Sequence, residues 1–241
     1  MLKIEEFLEL ARARRTIRGY RKKDFPRECI EKMLEAARWA PSGGNSQPWE
    51  FVVITDAEMR RRIYDLYVKT SEEKREMELA VRGELGGGTS PRGFRNAPVF
   101  ILVLGDRRVN EAFPVRTQLD KGEQHFITGL ASATLMIHLA ATAMGLGSQW
   151  VSDTASPYMA TILKSWLGIP QHLKVYDMVV IGYPVKQPQA PPRRDVEEIT
   201  HWEAYDPGLA RSDADVQRFL MHQTRLGKFG SWAAVAQAEK E

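Results

Sequence analysis

The sequence predicts an α+β fold, with a mixed sheet set between helical layers and an arm reaching outward near the C-terminus. Three observations predict it. Segments with apolar residues three and four apart alternate with short continuous apolar runs, as helices and buried strands do. The runs are few and scattered among the helical segments, with no internal repeat, which places one sheet among helices. Residues 184–194 hold Pro184, Pro188, Pro191 and Pro192 together with Lys186, Arg193 and Arg194, a composition that keeps a backbone extended. A chain of 241 residues, 43% of them hydrophobic, can bury such a core as one domain or one domain with appendages.

Each element has its own signal. Ile4, Phe7, Leu8 and Ala11 share one face of a first helix over 4–13. Pro26 opens a second, with Ile30, Met33, Leu34 and Ala37 at helical spacing, and Pro41 stops it. After the polar stretch 42–47, Phe51, Val52, Val53 and Ile54 read as a short buried strand. Asp56 then caps a helix running through Ile63, Leu66 and Tyr67. Residues 83–95, with Gly86, Gly87, Gly88 and Pro91, read as a mobile lid before a second strand over 99–104. A small-sided helix over 126–146 ends at Gly145-Leu146-Gly147. Ser156-Pro157 opens another helix that closes at Gly168, with Pro170 just beyond. Val179, Val180 and Ile181 form a last strand ending at Gly182, and 213–226 carries a weak helical pattern.

Composition excludes several classes. The 34 basic and 31 acidic residues give a net charge of only +3 without a long like-charge block, so no nucleic-acid surface is expected. One cysteine, Cys29, allows neither an internal disulfide nor a zinc site built on thiolates, and fits a reducing compartment. The histidines 125, 138, 172, 201 and 222 lack metal-ligand spacing, so no metal is expected, and His138 reads as a satisfied core residue. The first residues, with Glu5, Glu6 and Glu9, lack the pattern of a signal peptide, which makes the expected location cytoplasmic. Residues 126–146 are long enough for a bilayer, but Thr128, Ser132, Thr134, His138 and Thr142 interrupt them. With their alanines and glycines they suit a core or dimer-interface helix, and no membrane is expected.

Two segments carry chemistry. Arg14, Arg15, Thr16 and Arg18 place three guanidinium groups and a hydroxyl within five residues, directly after the first helix. Guanidinium forks present paired donors at the spacing of phosphate oxygens, although a solvated basic turn has the same composition. Residues 41–49, Pro-Ser-Gly-Gly-Asn-Ser-Gln-Pro-Trp, combine two glycines with small polar side chains beside an aromatic ring. Such a loop can line a planar heterocycle or simply make a capped turn.

The order of these segments, Arg-Arg-Thr-x-Arg-x-Tyr, a helix, then Ala-Pro-Ser-Gly-Gly-Asn-Ser-Gln-Pro-Trp-x-Phe, resembles the FMN-dependent nitroreductase family. The resemblance continues through Gly145-Leu146-Gly147-Ser148 with Trp150, Leu167-Gly168-Ile169-Pro170, Gly182-Tyr183-Pro184 and 193–199, covering about residues 10–205. It implies a nitroreductase-like α+β fold with a mostly antiparallel sheet, residues 1–205 forming the FMN-binding domain. Residues 206–241 would be an extension packing on the partner of an intertwined homodimer. It further implies that Arg14, Arg15, Thr16 and Arg18 hold the FMN phosphate and reach the ring, with Arg193 and Arg194 returning from the arm. Pro41, Ser42, Gly43 and Asn45 would come from the other subunit. Trp150, Val151, Ser152, Asp153 and Thr154 match the stretch facing flavin N5, with Ser152 and Thr154 favoured over Asp153, whose carboxylate would oppose a reduced, anionic flavin. Ser90 and Arg92 would sit in the lid by the substrate.

The activity implied is a ping-pong exchange in which NADH or NADPH reduces the flavin, leaves, and is replaced by a nitroaromatic, quinone or similar small oxidant. The absence of a Gly-x-Gly-x-x-Gly fingerprint fits a nicotinamide that is only a transient substrate. Two other readings stay open: a specialised flavin relative, a reductive dehalogenase or a dehydrogenase, and a flavin-binding sensor or carrier without significant turnover. Residues 59–82 lack the Glu-x-x-x-Tyr with which deiodinases grip an amino acid, which argues against that substrate.

Overall fold

The computed structural model describes residues 3–83 and 93–222. In chain order the elements are α1 (Ile4–Ala13), α2 (Arg27–Arg38), β1 (Trp49–Ile54), α3 (Ala57–Arg82) and β2 (Val99–Asp106), followed by α4 (Val115–Ala143), β3 (Gly147–Val151), α5 (Pro157–Leu167), β4 (Leu173–Gly182) and α6 (Asp213–His222). The described residues divide into two compact units, 3–71 with 93–188, and 72–83 with 189–222.

The first unit is built on a four-stranded sheet in the order β1-β2-β4-β3, antiparallel at every pairing of named strands. The parallel component of the mixed sheet is one isolated bridge, Thr16 to Ser148. β2 shows why helices cover both faces. Phe100, Leu102 and Leu104 join one apolar cluster with Ile63, Leu66 and Tyr67 of α3 and Met159 and Leu163 of α5. Val99, Ile101 and Val103 join the other, with Ile30, Met33 and Ala37 of α2 and Phe126, Leu130, Ala133, Ile137 and Ala141 of α4. A strand apolar on both sides cannot leave either one in water. α4 is long and apolar enough by length and composition to cross a bilayer, yet its apolar face is spent on the sheet.

Most punctuation read from the sequence is used as expected. Asp56 Oδ1 accepts from the Met59 amide at 2.7 Å, capping α3. Pro157 sits at the first position of α5, and Gly168 closes it with φ +65°, a left-handed conformation that glycine adopts without steric cost. Three elements differ. α4 begins at Val115 instead of near Phe126, because its first turns are polar and exposed and carry no apolar stripe. β4 begins six residues before Val179, since Lys174, Tyr176 and Asp177 interrupt its apolar run. β3 has no counterpart in the reading, its five residues being masked by Ser148 and Gln149.

The second unit holds the C-terminal half of α3, short turns at Glu197–Ile199 and Pro207–Leu209, and α6. Ser212 and Asp215 cap α6 reciprocally, the Ser212 amide donating to the Asp215 carboxylate at 3.0 Å and the Asp215 amide to Ser212 Oγ at 3.2 Å.

The close approach of residue 17 to β3 gives a first prediction. A Cβ on Gly147 would lie 2.5 Å from Ile17 Cγ1, whereas one on Gly19 would meet nothing nearer than 3.9 Å. Gly147→Ala is expected to destabilise the protein by about 1–3 kcal/mol in chemical unfolding, and Gly19→Ala to stay within about 0.5 kcal/mol of the parent.

Candidate functional site

The arginine segment is held in place by backbone hydrogen bonds. The chain leaves α1 at Arg14 in extended conformation. The Ile17 amide then donates to Ser148 O at 2.9 Å, docking the segment on the edge of β3. Further on, Arg21 N donates to Tyr183 O and Val185 N to Gly19 O, both at 2.9 Å. Tyr20, buried, has the carbonyls of Ile17 and Val180 in reach of its hydroxyl at 2.9 and 3.2 Å, and burial pushes its pKa well up. Gly93, at φ +102°, packs against the Arg18 carbonyl so closely that a Cβ there would overlap it. Arg14, Arg15 and Thr16 are half-buried and Arg18 is exposed. Arg15 donates through Nη1 to the carbonyls of Arg12 and Arg14, while its buried Nε has no partner among the described residues.

β3 carries the second group. Trp150 is stacked on His138 of α4, with ring centroids 5.6 Å apart and planes 23° from parallel, and its Nε1 donates to Asp177 Oδ2 at 2.5 Å. His138 Nδ1 lies 2.7 Å from Ser148 Oγ. Burial, with a smaller contribution from the positive charge of Arg14, pushes His138 down to about 4. Asp177 is pushed up to about 6 by burial, against the pull of the Trp150 hydrogen bond, with Asp153 adding to the rise. Val151 is buried, Ser152 exposed and Asp153 half-buried. Thr154 is fully buried, and its hydroxyl donates to Val151 O at 2.9 Å, closing the turn that follows β3.

The 41–49 loop lies elsewhere on the same chain. Ser42 Oγ accepts from the Gln47 amide at 3.0 Å, Asn45 has φ 54°, and Pro41 and Asn45 are exposed. A Cβ on Gly43 would fall 2.3 Å from the His125 ring, and one on Gly129 3.3 Å from Ser42 Cβ, so the loop is seated on α4 between those residues. Gly129 and His125 precede His138 by nine and thirteen positions, roughly 14 to 20 Å along a helix axis. Within one chain, then, Thr16 and Ile17 dock on Ser148 of β3, while Ser42 and Gly43 are seated against Gly129 and His125 of α4.

Arg193 and Arg194 belong to the second unit. Arg193 is exposed and donates to Pro192 O at 3.1 Å, and Arg194 pairs with Glu198 at 3.8 Å. Ser90 and Arg92 lie outside the described residues.

Two members of the group around Trp150 were not assigned roles from sequence. His138 is a core residue as read, yet only half satisfied, because its Nε2 is buried without a partner among the described residues. Asp177 was passed over; its signal is an ionisable residue inside an apolar strand. The two groups oppose each other in acid. His138, held below its ordinary 6.5, takes a proton more readily in the unfolded chain and so removes stability as pH falls from 6.5 toward 4. Asp177, held above its ordinary 3.8, takes one more readily in the folded chain and so adds stability as pH falls from 6 toward 3.8. Asp177→Asn is therefore expected to steepen the acid loss of stability between these limits by up to about 1.4 kcal/mol per pH unit, and His138→Gln to flatten or reverse it. Melting temperature against pH for both variants checks this, and parent-like profiles in both would contradict it.

Comparison with known proteins agrees with the fold. The sequence profile of the nitroreductase family matches residues 11–183. A protein of Archaeoglobus fulgidus with the provisional name NADH dehydrogenase/NAD(P)H nitroreductase is 30% identical over 181 residues, 75% of this chain and 87% of its own. Iodotyrosine deiodinase 1 of Rattus norvegicus is 28% identical over 210 residues, 82% of this chain and 70% of its own. The solved structure of a provisionally named nitroreductase from Desulfovibrio desulfuricans, in complex with FMN, is similar with a TM-score of 0.60 and 26% identity, over 83% of this chain and 97% of that one. The profile takes in the arginine segment, the sheet and the turn after β3 alike, and the chain belongs to the nitroreductase family.

Proposed function

We propose that the chain is an FMN-dependent oxidoreductase in which NADH or NADPH drives the ping-pong reduction of nitroaromatics, quinones or similar electron-poor small molecules. The observation that carries this reading is the docking of the arginine segment on β3 at Ser148, two residues before Trp150 in the same strand. The donor set fits the cofactor. Arg18 is exposed, Arg14 and Thr16 are half-buried, and Arg15 holds a buried Nε donor without a partner among the described residues. A phosphate ester offers charge-assisted acceptors for such donors. FMN held there would supply the two-electron redox chemistry that links the nicotinamide to the oxidant.

The chain's own part is binding, orientation and electrostatics. Arg14, Arg15, Thr16 and Arg18 hold the phosphate and favour negative charge on the reduced cofactor, with Arg193 and Arg194 as further phosphate contacts. The turn Val151, Ser152, Asp153 and Thr154 presents backbone amides to the ring. Because the Thr154 hydroxyl is engaged by Val151 O, the exposed Ser152 hydroxyl is the side-chain donor favoured there. Ser90 and Arg92 are proposed to contact the substrate.

Two observations support a homodimer with flavin sites shared between subunits. The loop of Pro41, Ser42, Gly43 and Asn45 is seated by His125 and Gly129, nine or more positions along α4 from the His138 that packs on Trp150, which favours its service to the partner's site. Large apolar side chains also stand in water, Leu119 at 82% and Trp202 at 83% exposure among them, as expected of surfaces awaiting a second copy. Residues 1–205 are proposed as the FMN-binding domain and 206–241 as an extension packing on the partner; the single cysteine suits a cytoplasmic protein. A reductive dehalogenase is the second reading, favoured by the likeness to deiodinase and opposed by the missing Glu-x-x-x-Tyr between residues 59 and 82.

Titration of the apoprotein with FMN tests the site. Arg18→Ala and Arg193→Ala are each expected to weaken binding by about 1.5–3 kcal/mol, roughly one to two decades in Kd, through loss of a charge-assisted contact. Parent-like affinity in both variants would overturn the assignment.

A further inference from the structure

Trp150 stands on an edge strand with more than a third of its surface exposed, a position where an aromatic ring is ordinarily free to change rotamer. Here it is held from three sides. The register of β2 on β4 shifts between Val103 and Leu104, which face Asp177 and Val175 and leave Tyr176 as the extra residue of a bulge. The bulge turns consecutive residues onto the same indole. Asp177 accepts from Trp150 Nε1 at 2.5 Å, and the Tyr176 ring meets it edge-on at 6.3 Å. His138 closes the remaining face by stacking, and is itself pinned by Ser148, the residue bridged to Thr16.

Asp177 and His138 are 7% and 3% exposed, and Asp177 Oδ1 and His138 Nε2 have no partner among the described residues. Apolar residues of similar size would fill the same space without that desolvation cost, so packing alone does not account for them. What they do share is the indole. Trp150 leads directly into the turn whose Val151 carbonyl is closed by Thr154. A fixed indole therefore fixes the start of that turn.

Resting on the flavin reading above, we propose that Asp177 and His138 are positioning residues that clamp the Trp150 indole and thereby hold the 151–154 turn in the arrangement that receives the isoalloxazine. With Asp177 ionised at neutral pH, the hydrogen bond is charge-assisted and shorter than a neutral one. The groups facing that carboxyl are the Trp150 indole, the Tyr176 ring and the charge of Asp153.

The test uses the indole N–H resonance of Trp150 in the full-length protein, assigned with Trp150→Phe, alongside FMN affinity and melting temperature. Asp177→Leu is expected to move that resonance to the position of an unbonded indole and to weaken FMN binding at least roughly tenfold, with melting temperature equal to or above the parent's. Asp177→Asn, which keeps an acceptor oxygen, should stay within about threefold in affinity. A merely structural role would lower melting temperature and affinity together and would overturn the proposal, as would parent-like FMN binding in Asp177→Leu. If Asp177→Leu does not fold, the parent decides: on lowering the pH from about 8 to 5 the resonance should move with a midpoint near 6, and a static resonance rejects the clamp. A parent that takes up no FMN contradicts the functional reading instead, so the two failures are distinct.

Discussion

The pairing of β2 with β4 is the constraint on which the remainder of the first unit depends. Both strands are buried along nearly their whole length, and their side chains alternate between two apolar clusters. Such a pair is stable only when both faces are covered, which requires α3 and α5 on one side and α2 and α4 on the other. It also fixes where chemistry can occur. Side chains facing the middle of the sheet are sealed from water, so polar groups that act on a ligand must lie at the sheet's margin, and β3 is one of its two edges.

At that edge the protein spends hydrogen bonds that a plain core would not need. Ile17 is tied to Ser148, Ser148 to His138, and Trp150 stands between His138 and Asp177. This line of contacts runs from the arginine segment to the turn after β3. Arg14 takes part through its charge, which helps to keep His138 neutral. A buried network of this kind costs desolvation at each member and gives in return one defined arrangement at the rim of the sheet.

How far the sequence discloses this follows from what each signal encodes. Proline and glycine at helix ends, the Asp56 cap and the continuous apolar run of β2 are local, and each appears in the structure where it was read. The fold class and family were legible for the same reason, since the motifs recur in order along most of the chain. β3 was not, because five residues with polar side chains at two positions carry too little alternation to register as a strand. Asp177 was hidden in another way. Its partner, Trp150, is 27 residues away in sequence, and a bulge, which has no reliable local signature, brings the two together. The seating of the 41–45 loop on His125 and Gly129 is likewise a tertiary fact that no spacing predicts.

The most direct test of the account is an absorbance spectrum of the freshly purified protein, followed under anaerobic conditions by addition of NADH and then NADPH. The account predicts the visible bands of oxidised flavin, released as FMN on denaturation, and their bleaching by at least one of the two nicotinamides. A colourless protein that gains no bands when FMN is supplied would contradict it.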